Sequence, residues 1–208
     1  MSMKNEFSNE IKKLKQMSFQ DKIWYLWSYY KVDLAGFLAA VVILSVAANA
    51  VYRTTFTTRL GIALVNNHSQ NLQTPDLLEE QLRQILGCGK KDLVEVNSGL
   101  YLGERAAGED SYLAQTKLAA LIASDALDIL IADQAAIELY SSADALCDLS
   151  SLLPQELSSL PPDAFSLSVE GTWLTEKGYI SSDAAYLAVI STSPRKEAAV
   201  QVIRSLFS

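Results

Sequence analysis

Between Asp33 and Arg53 the chain runs through nineteen residues without a charge, Leu34 to Tyr52 (LAGFLAAVVILSVAANAVY). Before this run, apolar positions recur at helical spacing among lysines and glutamates. After it they fall into short apolar runs alternating with amphipathic stretches. At a helical rise of ~1.5 Å per residue the uncharged run matches the ~30 Å hydrocarbon core of a bilayer. The pattern predicts a cytoplasmic arm over residues 1–31, a transmembrane helix over 32–53 and an extracytoplasmic domain over 54–208.

In the arm, Phe7, Ile11, Leu14 and Met17 draw one apolar stripe. The segment Ile23 to Tyr30 (IWYLWSYY) is then crowded with aromatic rings, which favour the headgroup level. This predicts an amphipathic, interfacial helix that lies on the leaflet and turns into the membrane, the competing reading being a solvated or partner-binding helix. Lys4, Lys12, Lys13, Lys15, Lys22 and Lys31 precede the span, whereas only Arg53 and Arg59 follow closely. That asymmetry predicts a single-pass protein of the cell membrane, its amino terminus cytoplasmic and its carboxy-terminal domain outside. A signal peptide is the rival, since Ala48-Asn49-Ala50 satisfies the small-x-small cleavage rule. The long patterned arm favours an uncleaved anchor.

Beyond the span the period alternates. Leu60 to Val65 reads as a buried strand, and the helix that follows starts at Thr74-Pro75, turns Leu78, Leu82, Ile85 and Leu86 inward and closes at Gly87. Asp92 to Asn97 alternates as a second strand, with a helix from about Asp110 burying Leu113, Leu118, Leu121 and Ile122. Leu127 to Ala132 reads as a third strand, ending at Asp133-Gln134 before a short helix from Ala135 to Tyr140. Ser141 to Pro162 is rich in Ser, Leu and Pro and lacks a sustained period. Ala184 to Ile190 is a last strand, Ser191 to Pro194 a turn, and Arg195 to Phe207 a helix with Ala198, Val202 and Leu206 on one face. Repeated strand–helix units predict an α/β domain in three layers with a mainly parallel sheet.

Charge and cysteine content narrow the function. From Arg53 to Ser208 there are eleven basic and twenty acidic residues, a net charge of −9 that disfavours nucleic acid and anionic lipid as partners of that part. Cys88 and Cys147 both fall where disulfides persist, and a bridge between them competes with two separate buried thiols. His68 is the sole histidine and no metal spacing, phosphate loop or nucleophile elbow occurs, so neither catalytic residues, a metal nor a cofactor is expected.

The run DALDILIADQAAIELYSSADALCDLSSLLP, Asp125 to Pro154, resembles the segment of extracellular solute-binding proteins of the type II periplasmic fold in which a strand ending in Asp precedes a short helix and a Leu-Leu-Asp-Leu phrase. The run AYLAVISTSPRKEAAVQVIRSLF, Ala185 to Phe207, is similar to that family's returning strand, Ser/Pro turn and Lys-Glu-Ala-Ala helix. The resemblance implies one lobe of such a protein. A complete member builds a second lobe after the third strand, yet only about 30 residues separate Pro154 from Ala184. Clamping a solute between two lobes is therefore not expected.

The function expected is a non-catalytic, membrane-anchored domain. It holds the bilayer through Leu34 to Tyr52 and the aromatic arm, and it recognises a protein partner or a weakly bound solute at the cell surface. A tethered solute-binding component of an ABC-type transporter and an extracytoplasmic sensor are the alternatives. In parallel sheets ligands sit beyond the carboxyl ends of the strands. That rule nominates Asn66 and Asn67, Asn97 and Ser98, Asp133 and Gln134, and Ser191, Thr192 and Ser193, with Trp173 a candidate cover. Asn66 and Asp133, as loop-edge residues, are expected to be replaceable by alanine without loss of folding.

Overall fold

The computed structural model describes residues 19–69, 74–103, 108–153 and 164–207. The stripe Phe7, Ile11, Leu14 and Met17, and the stretch 154–163, lie outside the described residues. The chain divides into two compact units, Met1–Thr55 and Phe56–Ser208.

In the first unit one helix, α1, runs unbroken over Phe19–Arg53, so the aromatic segment and the uncharged run form one element instead of a surface helix followed by a span. Within it the eighteen residues Ala35–Tyr52 are long and apolar enough to cross a membrane, and none is buried in the protein. Leaving so many apolar side chains in water is unfavourable by ~25 cal/mol per Å². Of the aromatic segment the structure describes the side chain of Trp27, which is exposed.

The second unit is α/β. Its elements are β1 (Thr57–Val65), α2 (Thr74–Ile85), β2 (Asp92–Leu100), α3 (Gly108–Ala123), β3 (Ile129–Ala132), α4 (Gln134–Ser142), α5 (Leu149–Leu152), β4 (Leu167–Ser168), α6 (Trp173–Glu176), a 3-10 turn (Ser182–Ala184), β5 (Tyr186–Val189) and α7 (Lys196–Leu206). The strands form one mixed sheet in the order β2-β1-β3-β5-β4. β1 pairs in parallel with β2 and β3, whereas β5 is antiparallel to β3 and to β4.

The mainly parallel sheet expected from the strand–helix alternation is thus corrected on one side. The reason is where the chain turns. Ser168 pairs with Tyr186, and Tyr186 with Ala132, so β4 finishes beside the carboxyl end of β3. The segment after it stays there, since Asn67, just beyond β1, bonds to Tyr179 and Ser181. β5 consequently starts at that end and runs back.

Alternation along the strands builds two cores. Leu60, Ile62, Leu64, Ile129, Ile131, Leu187 and Val189 face α2 and α7, meeting Leu78, Leu82, Val202 and Ile203. The smaller set Ala63, Val65, Leu130, Ala132, Ala188 and Ile190 faces α3 and α4, meeting Ala114, Leu118, Ala136 and Ile137. In α3 the buried stripe is rotated from the one expected. Ala114 is inside, whereas Leu113 is 63% exposed, because a leucine one position off the stripe points about 100° away. In α7, Ala199 and Ile203 join Val202 and Leu206 inside. A Cβ on Gly61, on the buried strand β1, would meet the Ala126 carbonyl oxygen at 1.9 Å, so that close approach requires glycine.

Candidate functional site

The carboxyl end of the sheet gathers Asn66, Asn67, Asp133 and Gln134, as their positions after β1 and β3 lead one to expect. Asn66 holds the left-handed conformation, φ 54°, which asparagine tolerates better than most residues. Its side chain is nearly out of solvent, donating from Nδ2 to Asp133 Oδ2 at 2.8 Å and accepting at Oδ1 from the Leu102 backbone N–H at 2.7 Å. Asp133 caps α4, its Oδ1 accepting from the Ala136 N–H at 3.0 Å. These two residues tie the ends of β1, β2 and β3 together. They are structural members of the edge, which argues against the expectation that alanine replaces them harmlessly.

Asn67 extends the network sideways. Its Nδ2 donates to the Tyr179 carbonyl at 3.0 Å, and its Oδ1 accepts from the N–H groups of Ser181 and Ser69. The Ser181 hydroxyl accepts from the His68 backbone N–H, while the His68 ring leans on Tyr101 with centroids 5.6 Å apart and lies 3.5 Å from Asp183. That contact is half-exposed and of small energetic weight. Gln134 points outward and donates to Glu138.

Asn97 and Ser98 do not end a strand. β2 continues to Leu100, and the register slips between Ala63↔Asn97 and Val65↔Leu100 by one extra residue. Gly99, φ 69°, accompanies this bulge. Residue types that read as a turn serve an irregularity inside the strand instead.

Ser191, Thr192 and Ser193 lie at the opposite end of the sheet, because β5 runs against its neighbours. Ser193 is buried and donates to Asp128 Oδ1 at 2.6 Å. Asp128, fully buried, also accepts from the Gly61 N–H at 2.7 Å and pairs with Arg195 Nε at 2.8 Å. This buried charge, set just before β3 where alternation alone suggested strand, went unmarked in the sequence. Every oxygen of its carboxylate is occupied, so it joins β1, β3 and the start of α7 and offers nothing to a ligand.

Between the carboxyl ends lies a groove of about 320 Å³, lined by Asn66, Leu102, Gly103, Asp133, Ala135, Ala136 and Leu139. Its polar atoms from Asn66 and Asp133 bond to each other and to the backbone. What it presents outward is therefore largely apolar, with Leu139 half-exposed. Trp173, the candidate cover, stands elsewhere. Its Nε1 donates to the Ser205 carbonyl at 2.9 Å, and its ring packs edge-on against Tyr179 on the α7 side. A second cleft of about 700 Å³, between α5 and α7, is lined by Leu152, Leu153, Lys196, Glu197, Val200, Gln201 and Arg204.

Cys88 and Cys147 are free thiols. Both lie at the amino end of the parallel strands, but not side by side. Cys88 leads into β2, whereas the Cys147 N–H bonds to Val189 of β5. At ~4.8 Å per strand, three or more spacings separate them by roughly 14 Å, beyond the ~7 Å limit for a bridge. Burial raises the Cys88 thiol above its ordinary range, with nearby Arg83 opposing. Among the described residues no three His, Cys, Asp or Glu side chains are grouped to hold a metal. The chain matches no protein-family model, no curated protein and no solved structure.

Proposed function

We propose that this is a single-pass membrane protein whose α/β domain, held outside the cell, recognises a protein partner with the carboxyl end of its sheet. The observation that carries the reading is the groove beside Leu139. The side chains of Asn66 and Asp133 already bond to each other and to the backbone, so among the described residues the groove offers mainly shape and apolar area instead of side-chain groups that would seize a sugar or amino acid. An apolar helix with no buried residue supports the anchor, and the lysine excess before it supports a cytoplasmic amino terminus.

The test is a crosslinked pull-down from membranes with the full chain and its Leu139→Glu variant. Leu139 is 50% exposed, so the change leaves the fold intact. Loss of the crosslinked partner at unchanged protein level is the expected result. An unaltered partner set would move recognition away from this groove.

A further inference from the structure

The turn between α2 and β2 displays two exposed lysines, Lys90 and Lys91, at the point where the chain enters the sheet. The Thr57 backbone N–H donates to the Lys91 carbonyl at 3.0 Å. Thr57 follows Arg53, the last residue of α1, by four positions, so at ~3.5 Å per residue Thr57 lies within about 14 Å of the helix end, and Lys91 is one hydrogen bond beyond it. The turn is held from several sides. Asp92 Oδ2 accepts from the Gly89 N–H at 2.8 Å, and Arg83 donates to the carbonyls of Gly89 and Asp92. Arg59, largely exposed, pairs with Asp92 Oδ1 at 3.2 Å. Asp92 is thus occupied within the turn, where Arg59, Arg83, Lys90 and Lys91 outnumber it.

We propose that this corner, Arg59 with Lys90 and Lys91, docks on anionic headgroups of the bilayer that holds the apolar helix. The inference rests on the membrane-anchor reading. It also revises what the net charge of −9 suggests. Glu109, Asp110 and Asp133 stand at the far end of a sheet whose nine-residue strand β1 is about 30 Å long. That exceeds three Debye lengths of ~8 Å, so those carboxylates act little on the corner, whereas exposed Asp125, Asp144 and Glu197 stand toward its own end of the sheet. Each basic residue at an anionic surface raises the docked population about five-fold.

The full chain is reconstituted in phosphatidylcholine vesicles, with or without about 30% phosphatidylglycerol. Retention after an alkaline wash of the zwitterionic vesicles reads the anchor. A water-soluble acetylating reagent then reads each lysine by mass spectrometry, with exposed Lys117 on α3 as the internal reference. Lys90 and Lys91 should react at least five-fold more slowly in the anionic vesicles, relative to Lys117, and about 0.5 M salt should restore them. Equal rates in retained protein overturn the docking and leave the anchor standing. Release by the wash overturns both. Slowing that survives salt would mean that a protein neighbour covers the corner, and it too overturns the proposal.

Discussion

Asn66 shows how one side chain can carry the geometry of a whole edge. It meets a backbone requirement, the left-handed turn out of β1, and a bonding requirement, the Leu102 N–H on one side and Asp133 on the other. Asn66→Ala fails both, leaving a buried N–H unpaired and a methyl in a strained conformation. The expected loss is about 2–4 kcal/mol in urea unfolding. Asn66→Gly keeps the bonding loss but relieves the backbone, so it should be less damaging than alanine. Equal losses would show that the bonds and not the turn decide. Asp128 follows the same logic more deeply buried, since removing one partner of a buried, fully bonded pair is costly even where the pair itself adds little net stability.

Among the elements, the turn from α2 into β2 owes its form to one carboxylate. The Gly89 N–H foremost, with Arg59 and Arg83, holds Asp92 below the usual carboxylate range, against a smaller opposing effect of burial. A carboxyl lowered in the folded state adds stability that is present above its unfolded value, near 4, and disappears as pH falls through the folded one. Asp92→Asn should therefore be less stable than the native chain at pH 7, and the difference should vanish progressively below about pH 4. Denaturant midpoints across that range measure it. A difference constant with pH would mean that the amide lost only packing. The bulge at Ser98-Gly99 is the matching device in β2, prolonging the strand to bring Leu100 and Leu102 into the core.

For the whole molecule, the decisive feature is that the chain parts into two units just after the apolar helix. A soluble piece from Arg53 to Ser208 should fold as a monomer with two titratable thiols, because both cores of the sheet are closed by its own helices. Calorimetry with sugars, peptides and amino acids should find no solute held tighter than roughly 0.1 mM, since a sheet edge open to water cannot dry a small ligand. Micromolar binding would replace the partner-recognition reading by that of a tethered transport component.

Hydrophobic period and chain punctuation were enough to locate the apolar helix, the four longer strands, the helices α2, α3, α4 and α7 and the end of the sheet where Asn66 and Asp133 meet, but not β4, α5 or α6. Those signals are local, set by burial every second or every third to fourth position. Direction was not local. Ser191 to Ser193 look like any residues after a strand, and only the antiparallel return of β5 sends them to the far end, against Asp128. Asn97 and Ser98 carry the composition of a turn, yet pairing with Ala63 and beyond holds them in the sheet. The two cysteines share an end but not neighbouring strands, a distance that strand order alone sets. Net charge likewise is a sum over the chain, whereas a membrane or a partner meets one face, and the face is created when the Lys90-Lys91 turn closes against Thr57.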